Sequence, residues 1–149
     1  MAVVYHARFP GWAEQVKKAR DWCEDLLTVH SAFEIPDDTV ASAILLLSEA
    51  STNAIRHTAS GRGGQFDVTL MVEHRTITIE VADEGHPDPG AVPFIRPLTP
   101  MAQNGRGVTL IDYLADTWGP LAPPRFGVGF TLTWGGPLPR RFSRRPATA

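Results

Sequence analysis

Along this chain the spacing of apolar residues changes period several times, and each change marks an element. Val3 to Phe9 alternates like a strand with one buried face, and Gly11 ends the alternation. Within Glu14 to His30, Val16, Ala19, Cys23, Leu26 and Leu27 recur at helical spacing, which predicts an amphipathic first helix. Pro36, Asp37 and Asp38 then supply a start signal for a longer helical segment, Val40 to Ala59, stopped by Gly61, Gly63 and Gly64. Phe66 to Val72 and Thr76 to Val81 are β-rich runs separated by Glu73, His74 and Arg75, and they predict an antiparallel hairpin.

Periodicity then vanishes from Pro87 to Asn104, a stretch with five prolines. That is long for a loop in a compact domain and marks either a functional lid or a surface excursion. Val108 to Ala115 offers Val108, Ile111 and Leu114 to one face of a short helix, and Gly127, Gly129 and the alternating Phe130 to Trp134 close the sheet. The succession strand, helix, helix, two strands, loop, helix, strands predicts an α+β two-layer sandwich. Its sheet is expected to be mixed, mostly antiparallel, with the helices on one face.

The second helical segment carries the candidate chemistry. Ala41, Ala43, Ile44, Leu45, Leu46 and Leu47 leave it almost no polar face until Glu49. Glu49, Asn53 and His57 then follow at steps of four, which places a carboxylate, an amide and an imidazole on one slowly drifting stripe. A buried carboxylate without a partner costs several kcal/mol, of order ~5, so the stripe must face something polar. A ligand or metal would supply that partner. Alternatively, Glu49 pairs with an arginine and Asn53 caps a loop.

Composition narrows the classes. With 149 residues, 43% hydrophobic and 20% charged, the chain suffices for one domain with a substantial core. No apolar run approaches the length of a membrane span, and Met1 to Pro10 lacks the order of a signal peptide, so a cytoplasmic protein without membrane contact is expected. The lone Cys23, among Trp22, Leu26 and Leu27, excludes an internal disulfide and predicts a buried thiol. The five histidines show no ligand spacing. Net charge is -2, yet Arg140, Arg141, Arg144 and Arg145 lie in a tail without acids. Removing them from the 14 basic residues leaves 10 against 16 acidic ones, a balance of -6 for the remainder. A domain over residues 1–136 and a basic, disordered tail over 137–149 are therefore expected. The tail has the composition of a solubilising or partner-contacting appendage rather than a nucleic-acid binder.

Gly105-Arg106-Gly107 opens the third helical segment, where backbone N–H groups can be aimed at an anion such as a phosphate. The pair alone is also what a simple turn requires, and no third glycine follows in dinucleotide-binding register.

In combination these motifs resemble a known superfamily. Glu49-x-x-x-Asn53 with His57 on a helix, Asp83-x-Gly85 at a strand end, a long loop and then Gly105-x-Gly107-x-x-Leu110 resemble the GHKL ATPases, which include histidine kinases and gyrase. Within that superfamily, Ser48 to His57 and Gly105 to Ile111 look most like the anti-sigma-factor serine/threonine kinases. The resemblance spans roughly Val3 to Trp134 and implies the Bergerat-type ATP-binding fold. It implies ATP and Mg²⁺ as cofactors, with Asn53 as metal ligand and Glu49 as general base or positioner of the attacking hydroxyl. Asp83 would accept a hydrogen bond from the adenine amino group, with Gly85 allowing close approach. Residues 87–104 would form the ATP lid, Gly105 and Gly107 would wrap the phosphates, and Arg106 would neutralise their charge. His57 would either wall the site or be a satisfied structural histidine.

Two positions depart from the superfamily pattern. Pro87 replaces the second glycine of the Asp-x-Gly box, and the final Gly-Thr box reads Gly129-Phe130-Thr131, so that Thr131 would supply its hydroxyl to the nucleotide. Without a phosphoacceptor-histidine hairpin, transfer to a separate protein is the expected reaction. The implied acceptor is a serine or threonine of an anti-sigma-factor antagonist, a small STAS domain protein. The resemblance further implies a sequestered sigma factor, regulation of transcription and a homodimer. Two alternatives remain: a partner-sequestering module of the same fold that transfers no phosphate, and a small ATP hydrolase acting within a larger assembly.

Overall fold

The structure, a computed structural model, describes residues 1–86 and 110–135. The expected lid at 87–104, the Gly105-Arg106-Gly107 motif and the tail at 137–149 lie outside the described residues. Strand β1 (Val3–Pro10) is followed by helices α1 (Gln15–Thr28) and α2 (Asp37–His57), and a 3-10 turn (Ala59–Gly61) leads into β2 (Gln65–Glu73) and β3 (Thr76–Asp83). A short helix α3 (Leu110–Leu114) precedes β4 (Thr117–Pro120) and β5 (Phe126–Thr133). No helix among the described residues is long and apolar enough to cross a membrane.

The strands form one sheet in the order β1-β2-β3-β5-β4. All four pairings among the described residues are antiparallel, so the mostly antiparallel sheet that was expected holds no parallel pair there. A parallel partner needs a crossover that finishes at the opposite end of the sheet. Here the α1–α2 excursion returns to the end it left, where Pro10 faces Gln65, and the excursion after β3 also returns, so that Asp83 faces Phe126. Pro10, Gln65, Asp83 and Phe126 thus meet at one end of the sheet, while the two-residue β2–β3 turn lies at the other.

One face of the sheet holds the core. Alternation along β2 buries Phe66, Val68, Leu70 and Val72, and along β3 it buries Ile77, Ile79 and Val81, with Phe130 and Leu132 of β5 on the same face. Ala19, Cys23 and Leu27 of α1 and Ala43, Leu46, Leu47, Ala50 and Ala54 of α2 close over them. The Phe9 ring stacks on Phe66 at 5.4 Å and meets Trp22 edge-on at 5.9 Å, tying β1, β2 and α1 together. Cys23 sits in this layer, where burial pushes its thiol up to about 12 and keeps it protonated and unreactive.

Candidate functional site

Helix α2 runs to the sheet end at which the four chain segments meet, and its final two turns carry the predicted stripe. Asn53 is partly buried, and its Nδ2 is fully enclosed without a hydrogen-bond partner. An enclosed amide without a partner costs about 1–3 kcal/mol, a cost that a ligand within hydrogen-bond reach would offset. One turn earlier, Glu49 is also partly buried and makes no hydrogen bond or ion pair with another described residue. Burial pushes its carboxyl above the ordinary carboxylate range, and the positive charge of Arg56 offsets this only in part. Arg56 is exposed, and no ion pair joins it to Glu49 among the described residues. His57 closes the helix and is partly buried.

The partner wall is the turn that leaves β3. Asp83 Oδ1 accepts the Gly85 N–H at 2.7 Å, folding the chain back on itself as aspartate does in tight turns. Gly85 has φ +79, and a Cβ there would lie 2.9 Å from Cδ2 of Phe126, so both backbone conformation and space call for glycine.

Side chains and backbone clasp this turn to the end of α2. Ala59 N–H donates to Gly85 O at 2.8 Å, and Glu84 N–H donates to Ser60 Oγ at 3.0 Å. Thr58 Oγ1 donates to Ala54 O at 2.6 Å while accepting the Ser60 N–H at 3.0 Å. Glu84 Oε2 in turn accepts the Gln65 N–H at 2.8 Å. A chain of hydrogen bonds therefore fixes the stripe of α2 relative to Asp83. Ser60→Ala is expected to destabilise the protein by about 1–2 kcal/mol in urea unfolding and to accelerate exchange of the Glu84 amide hydrogen. Unchanged exchange would mean that the clasp is held without Ser60.

The structure places Glu49, Asn53 and His57 along the C-terminal half of α2, and the Ala59 and Ser60 hydrogen bonds join the end of that helix to the turn of Asp83 and Gly85; Gly105, Arg106 and Gly107 fall outside the described residues. Thr131 is not brought there. Phe130 and Leu132 point into the core, so Thr131 between them faces the other side of the sheet. There it is buried, with Oγ1 hydrogen-bonded to that of Thr117 at 2.5 Å. A residue on that side cannot reach a ligand between the sheet and α2, which corrects its assignment to the nucleotide. Thr58, Ser60 and Phe126 are the residues that sequence reasoning missed. Counting in twos back from Phe130 would have found Phe126, whereas the clasp joins residues too far apart in sequence to show a pattern.

A family profile described as the histidine kinase-like ATPase domain matches residues 9–119, which include α2, the Asp83 turn and most of the sheet. The chain belongs to this family. Histidine kinase-like ATPase domains bind ATP, and the residues at this end fit such a ligand. The enclosed Asn53 amide offers a donor to a phosphate oxygen or, turned over, a neutral oxygen to a hard cation, while the Asp83 carboxylate can accept an amino hydrogen. The chain is also 32% identical over 76 residues to the anti-sigma F factor of Clostridium acetobutylicum, covering 48% of this chain and 53% of that protein. The chain thus spans about half the length of the curated relative it matches.

Proposed function

We propose that this histidine kinase-like domain is an anti-sigma-factor-type regulator. In this reading it binds ATP with Mg²⁺, phosphorylates a serine or threonine of a STAS domain antagonist, and sequesters a sigma factor in the cytoplasm. The observation that carries the reading is the enclosed Asn53 Nδ2, which has no hydrogen-bond partner, one turn from Glu49, whose carboxyl burial raises above its ordinary value. Similarity to the Clostridium anti-sigma F factor supports the choice of partners.

In this reading Asn53 holds Mg²⁺ against the phosphates, and the ion screens charge on the transferring group. Glu49 accepts the proton of the acceptor hydroxyl, a task that suits a carboxylate whose basicity burial has raised. Asp83 accepts from the adenine amino group, and its backbone turn is held in place by the Ala59 and Ser60 contacts. Gly105 and Gly107 let the backbone approach the phosphates, Arg106 supplies positive charge, and His57 walls the site.

Calorimetric titration of ATP, with and without Mg²⁺, into wild type and Asn53→Ala tests the first step. Magnesium-dependent binding is expected in wild type and at least ~10-fold weaker binding in the variant, about 1.4 kcal/mol or more. Folded wild-type protein that binds no ATP would replace this reading with a nucleotide-independent module that only sequesters a partner.

A further inference from the structure

Phe126 contradicts the pattern of its own strand. Phe130 and Leu132, on the same face of β5, are buried in the core, and Val128 packs against it, yet Phe126 remains 40% exposed. It stands directly opposite Asp83 in the β3–β5 ladder, so the ring and the carboxylate share the helix-side face at the end of the sheet. Its ring also lies over Gly85, with Cδ2, Cε2 and Cγ at 2.9, 3.0 and 3.2 Å from where a Cβ would stand. An apolar ring left open beside a carboxylate provides the two features a purine base offers contacts for: a flat face and an amino edge.

We propose that Phe126 is the specificity-determining wall of the nucleotide site, packing against the face of the base while Asp83 reads its amino group. The inference rests on the ATP-binding reading above and deepens it. Asp83 by itself would accept equally from the amino groups of adenine and cytosine. The ring separates them, because stacking strength grows with the area of the base, and a purine covers more of it than a pyrimidine does. Base–aromatic stacking contributes a factor of roughly 5–150 in affinity per base.

The test compares dissociation constants for Mg-ATP and Mg-CTP in wild type, Phe126→Ala, Phe126→Leu and Phe126→Trp, with thermal melting of each variant. Phe126→Ala is expected to weaken ATP binding about 10-fold and CTP binding by less, so that the preference for ATP contracts. Phe126→Trp should retain the preference. Phe126→Leu, which still covers Gly85, should behave like the alanine variant. ATP affinity within about twofold of wild type in Phe126→Ala would overturn the proposal. So would a loss shared equally by ATP and CTP, or full rescue by Phe126→Leu, because either assigns the ring a packing role alone. Wild-type protein that binds ATP in a manner dependent on Asn53 while ignoring Phe126 would overturn this inference and leave the functional reading standing. Wild-type protein that binds no ATP would overturn both.

Discussion

Glu49→Gln is expected to leave Mg-ATP binding close to wild type while lowering phosphoryl transfer to an acceptor serine by roughly 10²–10⁴-fold. Glutamine keeps the size of the side chain and its place one turn before Asn53, but it cannot accept a hydroxyl proton. Single-turnover transfer from labelled ATP to a STAS domain acceptor provides the measurement, and transfer retained at the wild-type rate would remove Glu49 from the reaction. The same substitution has a signature in stability. Because burial holds the Glu49 carboxyl above its ordinary value, the folded protein keeps a proton that the unfolded chain releases, and stability falls as pH rises through that interval before levelling off. Above the raised value, Glu49 is ionised in an environment that disfavours its charge. Glu49→Gln should therefore be at least as stable as wild type at neutral pH and should lack the decline on leaving the acid range. Thermal melts recorded from the ordinary carboxylate range to neutrality separate this from a neutral surface substitution, which would shift both curves alike.

Phe66→Ala is expected to cost about 3–5 kcal/mol, the range for truncating a buried aromatic ring. Phe66 is 0% exposed and stacks on Phe9, which in turn meets Trp22 of α1, so the cavity would open where three elements join. Against a typical total of about 5–15 kcal/mol, such a loss removes a large share of stability and should appear as a lower urea midpoint with little change in slope. Val4→Ala, on the exposed face of the neighbouring strand, should change stability by no more than about 0.5 kcal/mol and controls for nonspecific effects. A cost for Phe66→Ala near that of Val4→Ala would mean that the ring does not anchor the layer.

The elements most legible in the sequence were those with long, uninterrupted periods. The alternation of Val3 to Phe9 became β1, and the helical spacing of Val16 to Leu27 became α1. The two runs on either side of His74 became the β2–β3 hairpin. The 3.6-residue period also put Glu49 and Asn53 on one stripe of α2, and a strand end located Asp83 and Gly85. What sequence missed has physical causes. Strand β4 is four residues long and contains Gly119 and Pro120, so it carries no alternation; it shows itself only in its pairing with β5, where buried Trp118 stands opposite Phe130. Thr131 was misassigned because a motif fixes order along the chain, whereas a strand's two-residue period decides which side each residue faces. The contacts from Ala59 and Ser60 to residues 84 and 85 depend on how α2 lies against the sheet, which no local pattern encodes.

The return of the α1–α2 excursion to its starting point imposes an order on synthesis. Pro10 cannot meet its partner until Gln65 has been made, and Val3 must wait for Val72. At about 5–20 residues per second, that delay is roughly 3–14 s. Throughout it the first strand leaves the ribosome with Phe9 uncovered, while the ring that will stack on it, Phe66, is still untranslated. Strand β1 thus waits longer for its partner than any other strand of the described sheet, and the nascent protein is most open to aggregation or chaperone capture before its hairpin emerges.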